Sequence, residues 1–173
     1  MNYILFDDST RGDLLPLTFI RPVADIRIGI LTIREKWEKY LKTKTSTLTE
    51  TYLSKKYPLR KAADNILINA SVLPNPELVK KIKNLKPNES IYSKDYIIAM
   101  HVSEKDLTKV ESIDSEAETT NESENFEFSN IIEIETDIPH IKINYPWDIF
   151  SNNAQAIIDD FEILTKGKKS QPL

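Results

Sequence analysis

Three arginines lie near the amino terminus, between the first apolar run of the chain and its first amphipathic segment. They are Arg11, Arg21 and Arg27. A guanidinium can hold phosphate oxygens through two parallel hydrogen bonds, and a loop from the carboxyl end of a strand to a helix is where α/β sheets bind nucleotides. The spacing therefore indicates a phosphate site. The alternative is that Arg21 and Arg27 pair with Asp13 and Asp25 and fix the loop.

The same loop opens with the polar residues Asp7, Asp8, Ser9 and Thr10. Two carboxylates are enough for a Mg²⁺ ion that keeps most of its ligands as water and phosphate. Asp7 and Asp8 are therefore candidate metal ligands, and the alternative is that they cap the loop by accepting hydrogen bonds from nearby amides. The candidate nucleotide- and phosphate-binding residues are Asp7, Asp8, Ser9, Thr10, Arg11 and Arg27.

Apolar runs alternate with amphipathic segments along the chain. Short, partly β-branched runs predict buried strands at Tyr3–Phe6, Ser46–Leu48, Asn65–Leu73, Tyr96–Val102 and within Phe126–Ile134. Apolar residues at helical spacing predict helices at Gly29–Leu41, Pro76–Leu85 and Pro146–Lys166. Strands that alternate with helices predict an α/β fold, a layered sheet with flanking helices.

The last predicted helix carries an apolar stripe that includes Trp147 and Phe150. A stripe of this kind usually faces the core of a domain. We therefore expect both rings to be buried and not to form a stacking platform for a base. The acid-rich segment Glu111–Asn125 has few apolar residues, which is typical of a mobile surface loop.

Composition excludes several classes of function. The chain of 173 residues has no cysteine, two histidines and a formal net charge of -4. Disulfides, thiolate zinc sites and cysteine nucleophiles are excluded, and the net charge argues against a nucleic-acid partner. No apolar run approaches the roughly 20 residues of a membrane span. We expect a cytoplasmic protein with small-molecule partners, no nucleic acid and no membrane.

Four stretches carry a resemblance to a known family. Arg11 with Leu15-Pro16-Leu17-Thr18 is similar to the end of the signature loop of sugar nucleotidyltransferases. The stretches Leu14–Trp37, Ile66–Leu78, Tyr145–Asn153 and Leu164–Leu173 resemble the amino-terminal domain of the bacteroidetes-type bifunctional N-acetylglucosamine-1-phosphate uridyltransferase and glucosamine-1-phosphate acetyltransferase. Together they span nearly the whole chain.

The resemblance implies a Rossmann-like nucleotidyltransferase sheet, truncated relative to the usual family, and formation of UDP-N-acetylglucosamine from UTP and the sugar 1-phosphate with Mg²⁺. Arg11 and Arg21 are then the catalytic candidates, Arg11 over the triphosphate and Arg21 in the place of the usual lysine. Two positions depart from the family pattern, because its metal-binding carboxylates correspond to Ser71 and Lys142. The alternative is a degenerate, non-catalytic domain for nucleotide binding or assembly, attached to an acetyltransferase.

The resemblance also implies a domain organisation. We expect residues 1–167 to form the nucleotidyltransferase-like domain and residues 168–173 to begin a linker to a left-handed β-helix domain. No hexapeptide repeat of such a domain is present in the chain. Full-length relatives are expected to be homotrimers through that second domain.

Overall fold

The elements of the fold come from a computed structural model that describes residues 1–108 and 131–169. The strands are Asn2–Phe6 (β1), Arg27–Ile28 (β2), Leu31–Thr32 (β3), Ser46–Leu48 (β4), Asp64–Asn69 (β5), Glu89–Ser93 (β6), Tyr96–Ser103 (β7) and Ile132–Glu135 (β8). The helices are Thr10–Asp13 (α1), Ile33–Leu41 (α2), Pro76–Lys83 (α3) and Pro146–Thr165 (α4). Residues 104–108 are also helical.

A six-stranded mixed sheet organises the fold, with the strand order β4-β1-β5-β7-β6-β8. β1 runs parallel to β4 and β5, and β6 runs parallel to β8. β7 is antiparallel to both of its neighbours. Parallel neighbours need crossover connections, which the alternation of strands and helices supplies. The predicted α/β sheet with flanking helices is confirmed.

Both faces of the sheet are covered, as the burial of successive apolar residues in β1 shows. Leu5 lies in a large core with Trp37 of α2, whose indole N–H donates to the Val72 carbonyl at 2.9 Å. Ile4 faces the other side and packs in a second cluster with Leu107. Side chains of neighbouring strand residues point to opposite faces, so this run is buried from both sides.

The helical spacing predicted that the first long helix begins at Gly29. In the structure it begins at Ile33. The preceding residues form the antiparallel pair β2–β3. Gly29 lies in this turn with φ +73, and a Cβ there would lie 2.8 Å from the backbone of Ala156. The helix starts after Thr32, which forms a capping box with Glu35.

Other sequence predictions agree with the structure to within a few residues. The strand predicted from Asn65 ends at Asn69, and Asn75 caps α3 by accepting from the Leu78 amide at 2.8 Å. Strand β6 was not predicted. The segment Glu111–Asn125 lies outside the described residues, as does the start of the strand predicted within 126–134, whose end coincides with β8.

Helix α4 does not bury its apolar stripe, so the prediction that Trp147 and Phe150 are core residues is wrong. Trp147 is 61% exposed and Phe150 is 81% exposed. The buried residues of α4 are Ala156 and Asp160, and the Asp160 carboxylate accepts from backbone amides of the β2–β3 turn. Helix α4 is thus held to the domain through the hydrogen bonds of the buried Asp160 carboxylate. Among the helices of the described ranges, none is long and apolar enough to cross a membrane.

The exposure of α4 predicts unequal effects of substitutions on stability. We expect Phe150→Ala to change the free energy of unfolding by no more than about 0.5 kcal/mol, because little apolar surface returns to water. Ile28→Val removes a single methyl group, but Ile28 is 1% exposed, so we expect a loss of about 0.5–1.5 kcal/mol. Chemical denaturation measures both. A larger loss for Phe150→Ala than for Ile28→Val would contradict the exposed position of this ring.

Candidate functional site

The polar residues that follow β1 and β5 meet at the carboxyl edge of the sheet. Asp8 lies just after β1, and Asn69 ends β5, the strand that pairs with it. The segment 141–143 then runs antiparallel to 71–73, with Leu73 N donating to Ile141 O at 2.9 Å. This pairing brings Lys142 to the same edge. Edges of this kind are where open α/β sheets bind ligands.

Lys142 occupies the centre of this group. Its side chain is 9% exposed, and its Nζ lies 3.2 Å from Oδ2 of Asp8. The ammonium also donates to Oδ1 of Asn144 at 2.7 Å and lies 5.1 Å from the ring centroid of Tyr96. Asn69 donates to the same Asp8 oxygen at 2.8 Å. We call Asp8, Asn69, Tyr96, Lys142 and Asn144 the edge cluster.

The edge cluster keeps Asp8 ionised. Burial opposes ionisation, but hydrogen bonds from Thr10 and Asn69 and the charge of Lys142 outweigh it, so the pKa of Asp8 lies below its usual value of 3.8. Because the pKa is lower in the folded chain, Asp8 contributes stability that is present at neutral pH and lost as the pH falls through the folded pKa. Asp8 and Lys142 are therefore a charged pair at physiological pH.

Asp7 and Arg11 form a separate buried pair inside the loop. Nη1 of Arg11 lies 2.9 Å from Oδ2 of Asp7, and these side chains are only 10% and 4% exposed. The guanidinium also donates to the carbonyls of Thr18 and Arg21 and to the Tyr52 hydroxyl. Thus the phosphate-binding candidate Arg11 is held by protein acceptors, which fix the course of the loop.

Asp7 is more deeply buried than Asp8 and has different partners. Its carboxylate accepts from the Val23 amide at 2.9 Å and from the Thr49 hydroxyl at 2.6 Å, in addition to Arg11. Burial raises the pKa of Asp7 above its usual value, although these hydrogen bonds and the charge of Arg11 lower it. Asp7 thus accepts a hydrogen bond from a loop amide, as the alternative to metal binding predicted.

The backbone amides of residues 10–12 donate to acceptors in the same loop after β1. The Thr10 amide donates to the Asp8 carboxylate at 3.1 Å, and the Thr10 hydroxyl donates to the same oxygen. The amides of Arg11 and Gly12 donate to the carbonyls of Asp8 and Ser9. Ser9 is exposed. Because these amides donate to Asp8 and Ser9, they are not free to bind a phosphate in this conformation.

Arg21 and Arg27 lie apart from the edge cluster. Arg21 is exposed and lines an open cleft of about 360 Å³ together with Asp25 and Arg34. Arg27 begins β2, and its Nη2 lies 3.9 Å from the Glu35 carboxylate. The alternative, in which Arg21 and Arg27 pair with Asp13 and Asp25, is contradicted at Asp25, which pairs with Arg34 at 2.6 Å. The three arginines do not share one binding surface.

The arrangement does not fit the metal site that the family resemblance implies. Among the described residues, the Asp7 and Asp8 carboxylates share no side-chain partner, and Oδ2 of Asp8 lies 3.2 Å from the Lys142 ammonium, whose charge would repel a divalent cation. Within residues 1–108 and 131–169, no group of three or more His, Asp or Glu side chains is placed to hold a metal ion. The contacts of Asp7 and Asp8 therefore do not fit the two-carboxylate magnesium site that the sequence suggests.

Sequence reasoning identified Lys142 only as a departure from a pattern and missed its contacts. It also missed Asn69, Asn144 and Tyr96. The available signal was the position of Asn69 at the end of a buried strand, where polar residues of α/β sheets often contact ligands. Nothing in the sequence placed Tyr96, at the start of β7, beside Lys142.

Comparison with protein families shows to which family the chain belongs. The sequence profile of the sugar nucleotidyl transferase family matches residues 3–169. The chain belongs to the sugar nucleotidyl transferase family. No curated protein sequence matches it. Membership in the sugar nucleotidyl transferase family therefore rests on the profile and extends through almost all of the chain.

One solved structure supports this fold. The chain is similar to a structure named as a glucose-1-phosphate thymidylyltransferase from Bacillus anthracis in complex with a sucrose, with a TM-score of 0.59 and 11% identity, over 91% of this chain and 95% of that chain. It is also similar to CTP:phosphocholine cytidylyltransferase from Streptococcus pneumoniae, with a TM-score of 0.49 and 13% identity, over 89% and 98% of the two chains. At such identities, the first likeness establishes the nucleotidyltransferase fold.

Proposed function

We propose that this domain binds a nucleotide sugar of the UDP-N-acetylglucosamine class at the edge cluster and does not catalyse nucleotidyl transfer. The ligand class is supported by membership in the sugar nucleotidyl transferase family and by the sequence resemblance to uridyltransferase domains. The absence of transfer is supported by one observation above all. The Lys142 ammonium lies 3.2 Å from Asp8, where the resemblance calls for a metal-binding carboxylate.

The chemistry of nucleotidyl transfer explains why this observation matters. In-line displacement at the α-phosphorus of a nucleoside triphosphate is accelerated mainly by positioning and by stabilising the charge on the phosphate oxygens. Here the Lys142 charge is offset by Asp8, and the guanidinium of Arg11 is used by Asp7 and by backbone carbonyls. These two charges are therefore weakened as stabilisers of a transition state, although one ammonium suffices to contact a bound diphosphate.

A second candidate function is the transfer reaction itself, UTP and N-acetylglucosamine 1-phosphate giving UDP-N-acetylglucosamine and pyrophosphate. It is favoured by a family match that covers residues 3–169 and by the exposed Arg21 side chain. In this case Arg21, with Arg11 after a rearrangement of its loop, would contact the phosphates. Mg²⁺ would then have to displace Lys142 from Asp8.

A pair of assays distinguishes the two functions. The chain is incubated with UTP, N-acetylglucosamine 1-phosphate and Mg²⁺, and pyrophosphate is measured. Binding of UDP-N-acetylglucosamine is measured separately by saturation-transfer NMR. We expect binding and no pyrophosphate above the buffer blank. Pyrophosphate release that Arg21→Ala abolishes, in a variant with unchanged thermal stability, would establish the transferase, and loss of both signals would reject both functions.

A further inference from the structure

We infer that the Lys142 ammonium is a resident cation that takes the place of a divalent metal ion in holding a phosphate group. This inference rests on the proposed function, because it specifies how the phosphate of the nucleotide sugar is held. It assigns the ligand contact to a side chain and makes binding independent of metal.

The surroundings of Lys142 are those of a cation site. The ammonium is in contact with carboxylate and amide oxygens, Oδ2 of Asp8 at 3.2 Å and Oδ1 of Asn144 at 2.7 Å, which are the ligand types that Mg²⁺ prefers. The ring of Tyr96 lies on another side at 5.1 Å. The side chain is nine-tenths buried, so the protein holds this charge in a fixed place.

The hydrogen-bond capacity of the ammonium leaves room for a ligand. An ammonium has three N–H donors. Among the described residues, its oxygen acceptors are Asp8 and Asn144, so one donor remains for a phosphate oxygen. The side chains of Lys142 and Asp8 keep 9% and 17% of their surface exposed, so the pair is not sealed from solvent.

Asp8 has opposite effects in the two kinds of site. In a metal site Asp8 would be a ligand, and its replacement by asparagine would weaken a metal-dependent phosphate complex. In the site that we propose, the Asp8 carboxylate competes with the phosphate for the Lys142 ammonium. Its negative charge also repels the phosphate. Removing its charge therefore strengthens phosphate binding. The sign of the change in affinity identifies the kind of site.

The first experiment measures affinity for UDP-N-acetylglucosamine by isothermal titration calorimetry in buffer with EDTA. We expect Asp8→Asn to bind several-fold more tightly than the unaltered chain, and Lys142→Met to bind about 10-fold or more weakly, since a hydrogen bond to a charged group is lost. Lys83→Met is the matched control, because Lys83 lies on α3 and donates to the Tyr40 carbonyl, and we expect no change. Binding that requires Mg²⁺, or weaker binding by Asp8→Asn, would overturn the inference.

A second experiment does not depend on the nucleotide sugar. Mn²⁺ binding is followed by electron paramagnetic resonance for the unaltered chain and for Lys142→Asp, which places two carboxylates at this edge. We expect no bound Mn²⁺ in the unaltered chain and one bound ion in folded Lys142→Asp, with Lys142→Glu used if the first variant does not fold. Mn²⁺ bound to the unaltered chain and released by Asp8→Asn would overturn the inference. Failure to bind UDP-N-acetylglucosamine would reject the proposed function and leave this result to judge the cation site.

Discussion

Asp160→Ala is expected to lower the free energy of unfolding by about 3–5 kcal/mol, the usual effect of removing one partner of a buried ion pair. Asp160 is 0% exposed and lies in a salt bridge with Lys36, whose side chain is 4% exposed. Its second oxygen accepts from the amides of Ile30 and Leu31 at 2.8 and 3.0 Å. The variant leaves a buried ammonium without its counter-charge and two amides without an acceptor. Urea denaturation followed by circular dichroism measures the loss.

Two further variants make this stability prediction specific. Asp159→Ala removes an exposed carboxylate of the same helix, and we expect a change within about 0.5 kcal/mol. Adding Lys36→Met to Asp160→Ala removes the isolated buried charge, so the double variant should be more stable than Asp160→Ala alone. If Asp160→Ala costs no more than Asp159→Ala, the polar anchor of α4 is not a source of stability.

Arg11→Ala is expected to have a loss of similar size, about 3–5 kcal/mol at neutral pH. The variant leaves the Asp7 carboxylate buried without its guanidinium and removes the donor of the Thr18 carbonyl. Arg27→Ala is the control, since Arg27 is 59% exposed in a pair at 3.9 Å and such surface pairs contribute about 0–1 kcal/mol. Thermal unfolding of both variants tests this assignment of roles to the two arginines.

The loss caused by Arg11→Ala should depend on pH. In the unaltered chain the pKa of Asp7 is raised above 3.8, mainly by burial, so its contribution to stability is greatest below the unfolded value and falls as the pH rises through the folded pKa. Removing Arg11 raises the pKa of Asp7 further. The destabilisation should therefore be large at pH 7 and shrink in acid, as Asp7 becomes protonated and needs no counter-charge. A loss that is constant between neutral and acid pH would contradict the buried pair.

This result affects how activity data on Arg11 can be interpreted. The sequence resemblance makes Arg11 the first choice for substitution in a test of catalysis. The structure places it at the centre of the loop that follows β1, with Asp7. A loss of activity or of binding in Arg11→Ala would be expected from a collapsed loop alone. Arg21, which is exposed, is the more informative position.

Local pattern predicted the strands well where apolar residues were consecutive. Tyr3–Leu5 and Ile66–Ile68 are buried on both faces of the sheet, and such runs are recognisable without a partner. Strand β6, Glu-Ser-Ile-Tyr-Ser, lacks this density, because its place depends on pairing with β7 and β8. Pairing partners come from distant parts of the chain, which local periodicity does not report.

The two errors about helices have one physical cause. Periodicity shows that a segment has an apolar face but does not identify what that face packs against. For Gly29 and Ile30 the spacing continued into a turn that approaches α4 closely. The side of α4 that packs against the domain contains Asp160, whereas the apolar face with Phe150 is exposed. A polar anchor of this kind cannot be predicted without the facing backbone amides.

The candidate site was predicted in part. The sequence indicated the loop after β1 and the unusual Lys142, because both lie in stretches with a recognisable family pattern. The pairing of Lys142 with Asp8 joins residues far apart in the chain, and the assignment of Arg11 to Asp7 depended on burial. Charge type alone therefore favoured phosphate binding by Arg11, whose guanidinium contacts Asp7 and the Thr18 carbonyl in the structure.

The central claim, binding of a nucleotide sugar without transfer, is tested most directly by ³¹P NMR of UDP-N-acetylglucosamine mixed with the chain, pyrophosphate and Mg²⁺. We predict that the two diphosphate resonances broaden or shift in the presence of the chain and that no UTP resonances form. Resonances of UTP and the sugar 1-phosphate would demonstrate reverse transfer and contradict the claim. Diphosphate resonances identical to those of the free nucleotide sugar would contradict the binding itself.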